Sequence, residues 1–306
     1  MMCDPAVAFA LTDANDNDKP SLEQKLDSDT RSGWKAKLAL LFTDRGDKTV
    51  IKERQQQGPL AIQRPLYPEG PVCHTYLLHP PGGVVGGDTL AIEAQVREGG
   101  HALVTTPGAT KFYRSSARFA RQTQILRVAS NATLEWLPQE NIFFPEAHAR
   151  LDTQIHLERD AQFMGWEMHC FGRPALNEGF SSGHLVGKTE IYYQGSKILN
   201  EGLNMKGGDK ALINKGLLGF PMMGTFYISS QDEDLIELVQ SLLCSIQDDV
   251  GKASLVIGAT QLENLIVVRA LGQWSEVILA SFERIWQQIR LHWFGEKPQP
   301  PRIWAT

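Results

Sequence analysis

The sequence predicts a mainly β protein, in which stacked strands form a helical β-sheet body and two α-helices follow at the C-terminus. Short segments with the two-residue period of half-buried strands succeed one another over most of the first 200 residues. In residues 90–96, for example, Leu90, Ile92 and Val96 share one face while Glu93 lies on the other. Glycine-rich turn signals separate these segments at near-even spacing, and helical periodicity appears only after residue 230. This pattern favours a β-rich α+β fold.

The predicted strands come first in the chain. They span residues 35–42, 72–79, 90–96, 101–106, 123–128, 132–137, 153–157, 163–168 and 186–193. No helix of three turns is predicted between about residues 33 and 225. Each strand is short and is bounded by Gly, Pro, Asn or Asp, as in coiled or stacked β architectures.

Two helices are predicted near the C-terminus, with a hairpin between them. The first has an apolar stripe that runs from Leu235 to Ile246 and starts after Ser229 or Ser230, either of which can cap it. The second runs over residues 275–292, with Phe282 on its apolar face and Trp286 and Trp293 beside that face. Residues 255–259 and 265–270 read as the two strands of the hairpin.

The two ends of the chain differ from residues 33–293, which are predicted to form a single body. Residues 1–32 contain seven acidic and three basic side chains, and so hold −4 of the net charge of −5. Such a polar segment predicts a mobile acidic arm. Prolines after Gly295 predict an extended tail over residues 294–306, in which Trp304 indicates docking onto this protein or another.

Composition excludes several classes of protein. The chain has 42% hydrophobic and 21% charged residues, and it lacks the apolar run of about 20 residues that a membrane helix needs. A net charge of −5 without a basic stripe argues against nucleic-acid binding. The four cysteines lie far apart with no CxxC pair, which argues against a zinc ribbon and is typical of a reduced, cytoplasmic setting.

The most informative segment is residues 79–88, which hold two prolines and four glycines. Pro80 and Pro81 remove two backbone donors and end the preceding strand. The two Gly-Gly pairs permit positive φ and close backbone approach before Asp88. The segment matches no phosphate-binding pattern, because a strand follows it where such loops open onto a helix. It predicts a shaped functional loop.

Two further segments combine turns with polar side chains. Residues 105–115 place Lys111 and Arg114 around a turn, which is either an anion or partner contact or a surface turn. Residues 137–145 place Gln139 and Glu140 between a strand and an aromatic run, and Glu140 is either a polar group at the core or an exposed turn residue. The pattern contains no hydrolase motif, and scattered His, Asp and Glu fit weak, transient binding of a divalent ion.

These three segments, together with residues 217–221 and 268–272, resemble the urease accessory protein family UreD, also called UreH. The resemblance spans about residues 33–293. It implies a non-catalytic metallochaperone scaffold that binds the urease apoprotein, UreF and the GTPase UreG, and that carries Ni²⁺ through an internal passage to the dinickel site. It also leaves room for a homodimer within the accessory complex.

The resemblance also suggests site residues. Asp88, Glu140 and His79 are the expected transient metal contacts, and the glycines are expected to leave the passage unblocked. The second helix and tail are assigned to UreF binding through Phe282, Trp286, Trp293 and Trp304. The full set of motif and passage residues is His79, Pro80, Pro81, Gly82, Gly83, Gly86, Gly87, Asp88, Thr110, Lys111, Tyr113, Arg114, Gln139 and Glu140.

Two alternatives come from other classes of protein. One is a stacked-β carbohydrate-active enzyme, with Asp88 and Glu140 as its paired carboxylates. The other is a protein-binding β scaffold with no metal role.

Overall fold

The computed structural model describes residues 33–230, 232 and 234–305, so the predicted acidic arm at residues 1–32 lies outside the described residues. The strands are β1 (Lys35–Asp44), β2 (Thr49–Gln57), β3 (Ala61–Ile62), β4 (Cys73–Leu78), β5 (Thr89–Val96), β6 (His101–Thr105), β7 (Thr110–Phe112), β8 (Ala120–Val128), β9 (Thr133–Leu137), β10 (Asn141–Phe143), β11 (Ala147–Leu157), β12 (Gln162–Arg173), β13 (Glu178–Gly179), β14 (Gly183–Tyr193), β15 (Ser196–Lys206), β16 (Met222–Ser229), β17 (Leu255–Leu262) and β18 (Leu265–Gly272). The helices are α1 (Asp234–Val250) and α2 (Ser275–Phe294).

The strands form two sheets that the chain visits alternately. A seven-stranded sheet has the order β15-β14-β11-β8-β5-β1-β2, and the main path of an eleven-stranded sheet has the order β17-β18-β16-β12-β9-β6-β4-β3. From β4 to β14 the long strands fall in alternate sheets, and each lies parallel to the previous strand of its own sheet. The chain therefore winds as a β-solenoid-like coil, which confirms the predicted stacked β body with two C-terminal helices.

Two hydrophobic cores divide the molecule into three layers. The first core lies between the two sheets and includes Leu126 and Ile155. The second core lies between the eleven-stranded sheet and the helices, where Trp166 and Phe226 meet Phe282 and are all fully buried. Residues of the eleven-stranded sheet alternate between these cores, as the two-residue period requires.

Several strand boundaries differ from the prediction. Strands β2 and β15 were not predicted, because each is an edge strand whose many exposed polar side chains hide the alternation. Strand β11 begins six residues earlier, at Ala147, than the predicted start at residue 153. Both helices lie where periodicity predicted them, and no helix in the described residues is long and apolar enough to cross a membrane.

The assignment of the aromatic residues of α2 and the tail to a partner surface is wrong for two of the four. Phe282 and Trp286 are fully buried in the second core. Trp304 lies in a 3₁₀ turn, not in an extended tail; its indole nitrogen donates to Thr105 Oγ1 at 2.8 Å, and its ring packs on Trp286. The helix stripe and the tail cover the sheet of their own chain, but Trp293 and Trp304 are only partly buried, and their assignment to a partner surface stays a prediction.

Candidate functional site

The loop at residues 79–88 is held in place by the carboxylate of Asp88. Its Oδ1 accepts a hydrogen bond from the Trp34 amide at 2.8 Å, and its Oδ2 accepts one from the Val85 amide at 2.9 Å. The side chain is buried. Asp88 thus ties the start of β1 to the loop, and both of its oxygens serve the backbone. Asp88 therefore has a structural role in the loop, and its role as a transient metal contact stays a prediction.

The glycines of the loop allow it to pack against the second polar segment. A Cβ at Gly83 would lie 2.3 Å from Tyr113 Cε2 and 2.6 Å from the Lys111 carbonyl. The Val84 amide donates to that carbonyl at 2.7 Å. At Gly86 a Cβ would lie 2.4 Å from the Ser115 Cβ. Gly83 and Gly86 therefore serve close packing, and of the four glycines only Gly82 and Gly83 are among the residues that line the large cavity described below.

The third polar segment joins the other two at the same end of the body. The Gln139 amide donates to Thr106 Oγ1 at 2.8 Å, and the Thr110 amide donates to the Glu140 carbonyl at 2.9 Å. Parallel pairing of β7 with β10 extends this contact. Three separate segments between residues 79 and 145 thus contact one another at one end of the body.

The three segments adjoin a large cavity between the two sheets, with a volume of about 240 Å³. The polar side chains Gln122, Gln124 and Glu167 lie among its walls, together with Trp136. Of the predicted motif residues, those that line it are His79, Pro81, Gly82, Gly83, Thr110, Lys111 and Gln139. Those that do not are Pro80, Gly86, Gly87, Asp88, Tyr113, Arg114 and Glu140. Burial lowers the pKa of His79, against the opposing charge of Asp88, so its imidazole favours the neutral form.

The carboxyl group of Glu140 lies near the start of α2, where Ser275 and Glu276 act on it. Burial raises its pKa, and the neighbouring Ser275 side chain acts in the opposite direction. Neither Glu140 nor Asp88 lines the cavity between the sheets. The two carboxylates therefore do not meet in this cavity, and their role as transient metal contacts stays a prediction.

The carboxylate at the centre of the body belongs to Glu167, which the motif search missed. Its Oε1 accepts a hydrogen bond from Thr153 Oγ1 at 2.6 Å, and its Oε2 accepts one from Thr189 Oγ1 at 2.9 Å. Glu167 has no cationic side-chain partner in the part of the chain that the structure describes. It stands within the predicted strand 163–168, on the same face as Phe163 and Gly165. A charged residue at an inward position of a buried strand was the available signal.

Glu167 also lines a second, smaller cavity of about 40 Å³. There it is joined by His169, Lys188, Glu201 and Tyr227. Tyr227 donates its hydroxyl to Glu201 Oε2 at 3.2 Å. The buried His169 has a pKa lowered by burial, and within the described residues its Nδ1 has no hydrogen-bond partner.

Hydrogen-bonded side chains connect the wall of the large cavity with Glu167. Trp136 Nε1 donates to Gln124 Oε1, and Gln124 Nε2 donates to Thr153 Oγ1, both at 3.1 Å. The described residues contain no cluster of three or more His, Cys, Asp or Glu side chains arranged to hold a metal ion. The arrangement offers separate oxygen donors in succession, which suits brief contact with a hard or borderline cation.

Comparison with known proteins places the chain beside one family. The family described as UreD urease accessory protein matches residues 35–305. A protein named urease accessory protein UreD from Vibrio parahaemolyticus is 50% identical over 281 residues, which cover 91% of this chain and 99% of that protein. Proteins of the same name from Escherichia coli and Klebsiella aerogenes are 46% and 41% identical over 276 residues, which cover 90% of this chain and 98% of each relative.

Proposed function

This chain belongs to the UreD urease accessory protein family, and we propose that it is a non-catalytic factor in the maturation of urease. We propose further that it acts in the cytoplasm, binds the urease apoprotein, and works with UreF and the GTPase UreG. In this proposal its cargo is Ni²⁺, which it passes to the dinickel site of urease. The same proposal includes a homodimer within the accessory complex.

The route proposed for the ion runs through the interior between the two sheets. The observation that carries this proposal is that Glu167 lines both the large and the small cavity. The large cavity lies under the surface formed by the three polar segments, and the small one extends from Glu167 toward Glu201 and Lys188. An ion that enters the large cavity would therefore meet Glu167 before it reaches the small one.

The chemistry of Glu167 suits transfer better than storage. Each carboxylate oxygen accepts one threonine hydroxyl and keeps a further lone pair. One carboxylate and neighbouring water provide a few oxygen ligands, whereas tight sites for such ions use several protein side chains. Glu201 is already paired with Arg269 and Tyr227, so its affinity for a cation is reduced as well. Both carboxylates would release the ion readily.

The proposal is tested by removing the charge of Glu167. Glu167→Gln and Glu167→Leu should lower activation of nickel-free urease by about tenfold or more, the size expected when a required charge is lost. Each variant should still co-purify with UreF and urease, because the Glu167 side chain is only partly exposed and faces the two cavities between the sheets. The exposed Glu98 provides a matched control, and Glu98→Gln should activate urease as the wild type does.

Full activation by Glu167→Leu would refute the proposed route. Equilibrium dialysis against Ni²⁺ adds a second readout. Weak uptake by the wild type that Glu167→Leu reduces supports carriage, whereas no uptake at all supports a protein-binding scaffold without a metal role. The carbohydrate-active alternative has less support, because such enzymes need two carboxyl groups on one cleft and neither Asp88 nor Glu140 lines the large cavity.

A further inference from the structure

Strand β17 is an edge strand that lacks the usual protection against pairing. Three edge strands have eight or more residues, namely β2, β15 and β17. Strand β2 contains Lys52, Glu53 and Arg54, and β15 contains three charged residues. Strand β17 contains no charged residue and no proline over its whole length. Charged side chains and proline are the common means by which proteins block the edge of a sheet.

The pairing of β17 with β18 determines which backbone groups face outward. The Gln273 amide donates to the Ser254 carbonyl at 3.1 Å, so residue 254 is a hydrogen-bonded position of this antiparallel ladder. Such positions alternate along the strand. The even-numbered residues of β17 therefore bond to β18, and the amides and carbonyls of the odd-numbered residues point to the open edge.

The open stretch has a defined length. At its start, the Leu255 amide donates to the Gly251 carbonyl, and the Leu255 carbonyl accepts from Gln247 Nε2 at 2.8 Å. Three outward positions remain, namely Ile257, Ala259 and Gln261. In the described part of the chain, their outward amides and carbonyls have no hydrogen-bond partner.

We propose that β17 pairs antiparallel with β17 of a second copy of this chain, about a two-fold axis at Ala259. Centred there, Ala259 faces Ala259 of the second copy, and Ile257 faces Gln261 on either side. Three hydrogen-bonded pairs result, with about six backbone hydrogen bonds, since each such pair exchanges two. The two eleven-stranded sheets become one continuous sheet.

A second copy fits this edge for two reasons. A strand that pairs with itself about a two-fold axis places the residue at the axis opposite its own copy, so a charge there would face a like charge, and β17 has none. The centre also holds the small residues Gly258 and Ala259, and a Cβ built on Gly258 meets no atom within 4 Å. No side chain at the centre therefore obstructs a second strand.

The test is to measure the oligomeric state of the full chain by sedimentation velocity over a range of micromolar concentrations. The wild type should show a concentration-dependent monomer–dimer equilibrium. Ala259→Pro removes the central amide and should raise the dimer dissociation constant by about tenfold or more. Ala259→Ser keeps that amide and is the matched control, which should dimerise as the wild type does.

A charge exchange tests the position of the axis even if the proline variant fails to fold. Ala259→Lys and Ala259→Glu should each be monomeric alone, because like charges would face each other at the axis. An equal mixture of the two should form a mixed dimer, because opposite charges then meet.

A wild type that stays monomeric at all concentrations overturns the proposal. The proposal is also overturned if the wild type dimerises and both Ala259→Pro and Ala259→Lys still dimerise, because the dimer would then use another surface. A monomeric wild type in which Ala259→Pro loses binding to UreF would assign the edge to that partner instead. This interface rests on the homodimer of the proposed function, but none of these results depends on nickel transfer, so its failure is distinguishable from failure of the proposed route.

Discussion

At the scale of single residues, buried charge outside the cavities holds the helical layer on the body. Glu135 is fully buried on β9 and accepts hydrogen bonds from His101, Trp286 and Arg290. Arg290 also donates to Glu69 at 2.7 Å. Two residues of α2 are thus joined to the eleven-stranded sheet through one carboxylate. Breaking such a pair on one side leaves an uncompensated charge in the core.

Removing Arg290 should therefore destabilise the protein strongly. We expect Arg290→Met to lower the free energy of unfolding by about 3 to 5 kcal/mol, the usual cost of removing one partner of a buried ion pair and leaving the other charge unpaired. Adding Glu135→Leu to this variant should restore part of the loss, because it removes the stranded charge. Urea denaturation measures both. A double variant no more stable than Arg290→Met would contradict this explanation.

The same carboxylate should make stability depend on acid. Burial alone would raise the pKa of Glu135, but the hydrogen bond from His101 and the charge of Arg290 outweigh it and lower the pKa to about 2. Because the folded pKa lies below the ordinary value of 4.5, the stabilisation is complete above pH 4.5 and is lost as the pH falls toward 2. The unfolding free energy of Glu135→Gln should vary less than that of the wild type over this window. The unfolding free energy is measured by urea denaturation at each pH. If it changed equally with pH in the variant and the wild type, Glu135 would not be the source of the acid dependence.

At the scale of elements, the site depends on how closely the loop at residues 79–88 can approach β7. The two halves of one Gly-Gly pair differ sharply in their surroundings. A Cβ at Gly83 would overlap Tyr113 and the Lys111 carbonyl, whereas a Cβ at Gly82 would meet no atom within 4 Å. Gly83 therefore allows close packing against β7, whereas Gly82 lines the cavity and has no close neighbour.

This difference gives a matched pair of substitutions. Gly83→Ala should lower the unfolding free energy by about 1 to 3 kcal/mol, the range for overpacking a close contact. Gly82→Ala should change it by less than about 0.5 kcal/mol, as for an uncrowded surface position. Thermal or urea unfolding distinguishes the two. Equal changes in the unfolding free energy of the two variants would contradict this explanation, because the contacts around Gly83 would then have no effect of their own.

At the scale of the whole molecule, the coil aligns residues that are distant in sequence. Gln124, Thr153 and Glu167 lie on three different strands in two facing sheets, yet they form one hydrogen-bonded series. The helices pack on the far side of the eleven-stranded sheet and contribute to a separate core. The cavities and the helical layer therefore occupy opposite faces of one sheet, so that substitutions in either should leave the other intact.

The sequence by itself determined the fold class, both helices, most inner strands and the three segments at the mouth of the large cavity. Periodicity and turn residues are local properties, and they suffice for these features. Only the tertiary structure decided the roles of individual side chains. Asp88 proved to bind backbone amides, Phe282 and Trp286 proved to be core residues, and Glu167 proved to line both cavities, because contacts across sheets depend on how the coil stacks. The alternation along a strand predicts which face of the sheet a residue lies on. It does not predict which residue of the opposing sheet that side chain contacts, because that residue belongs to a distant part of the chain.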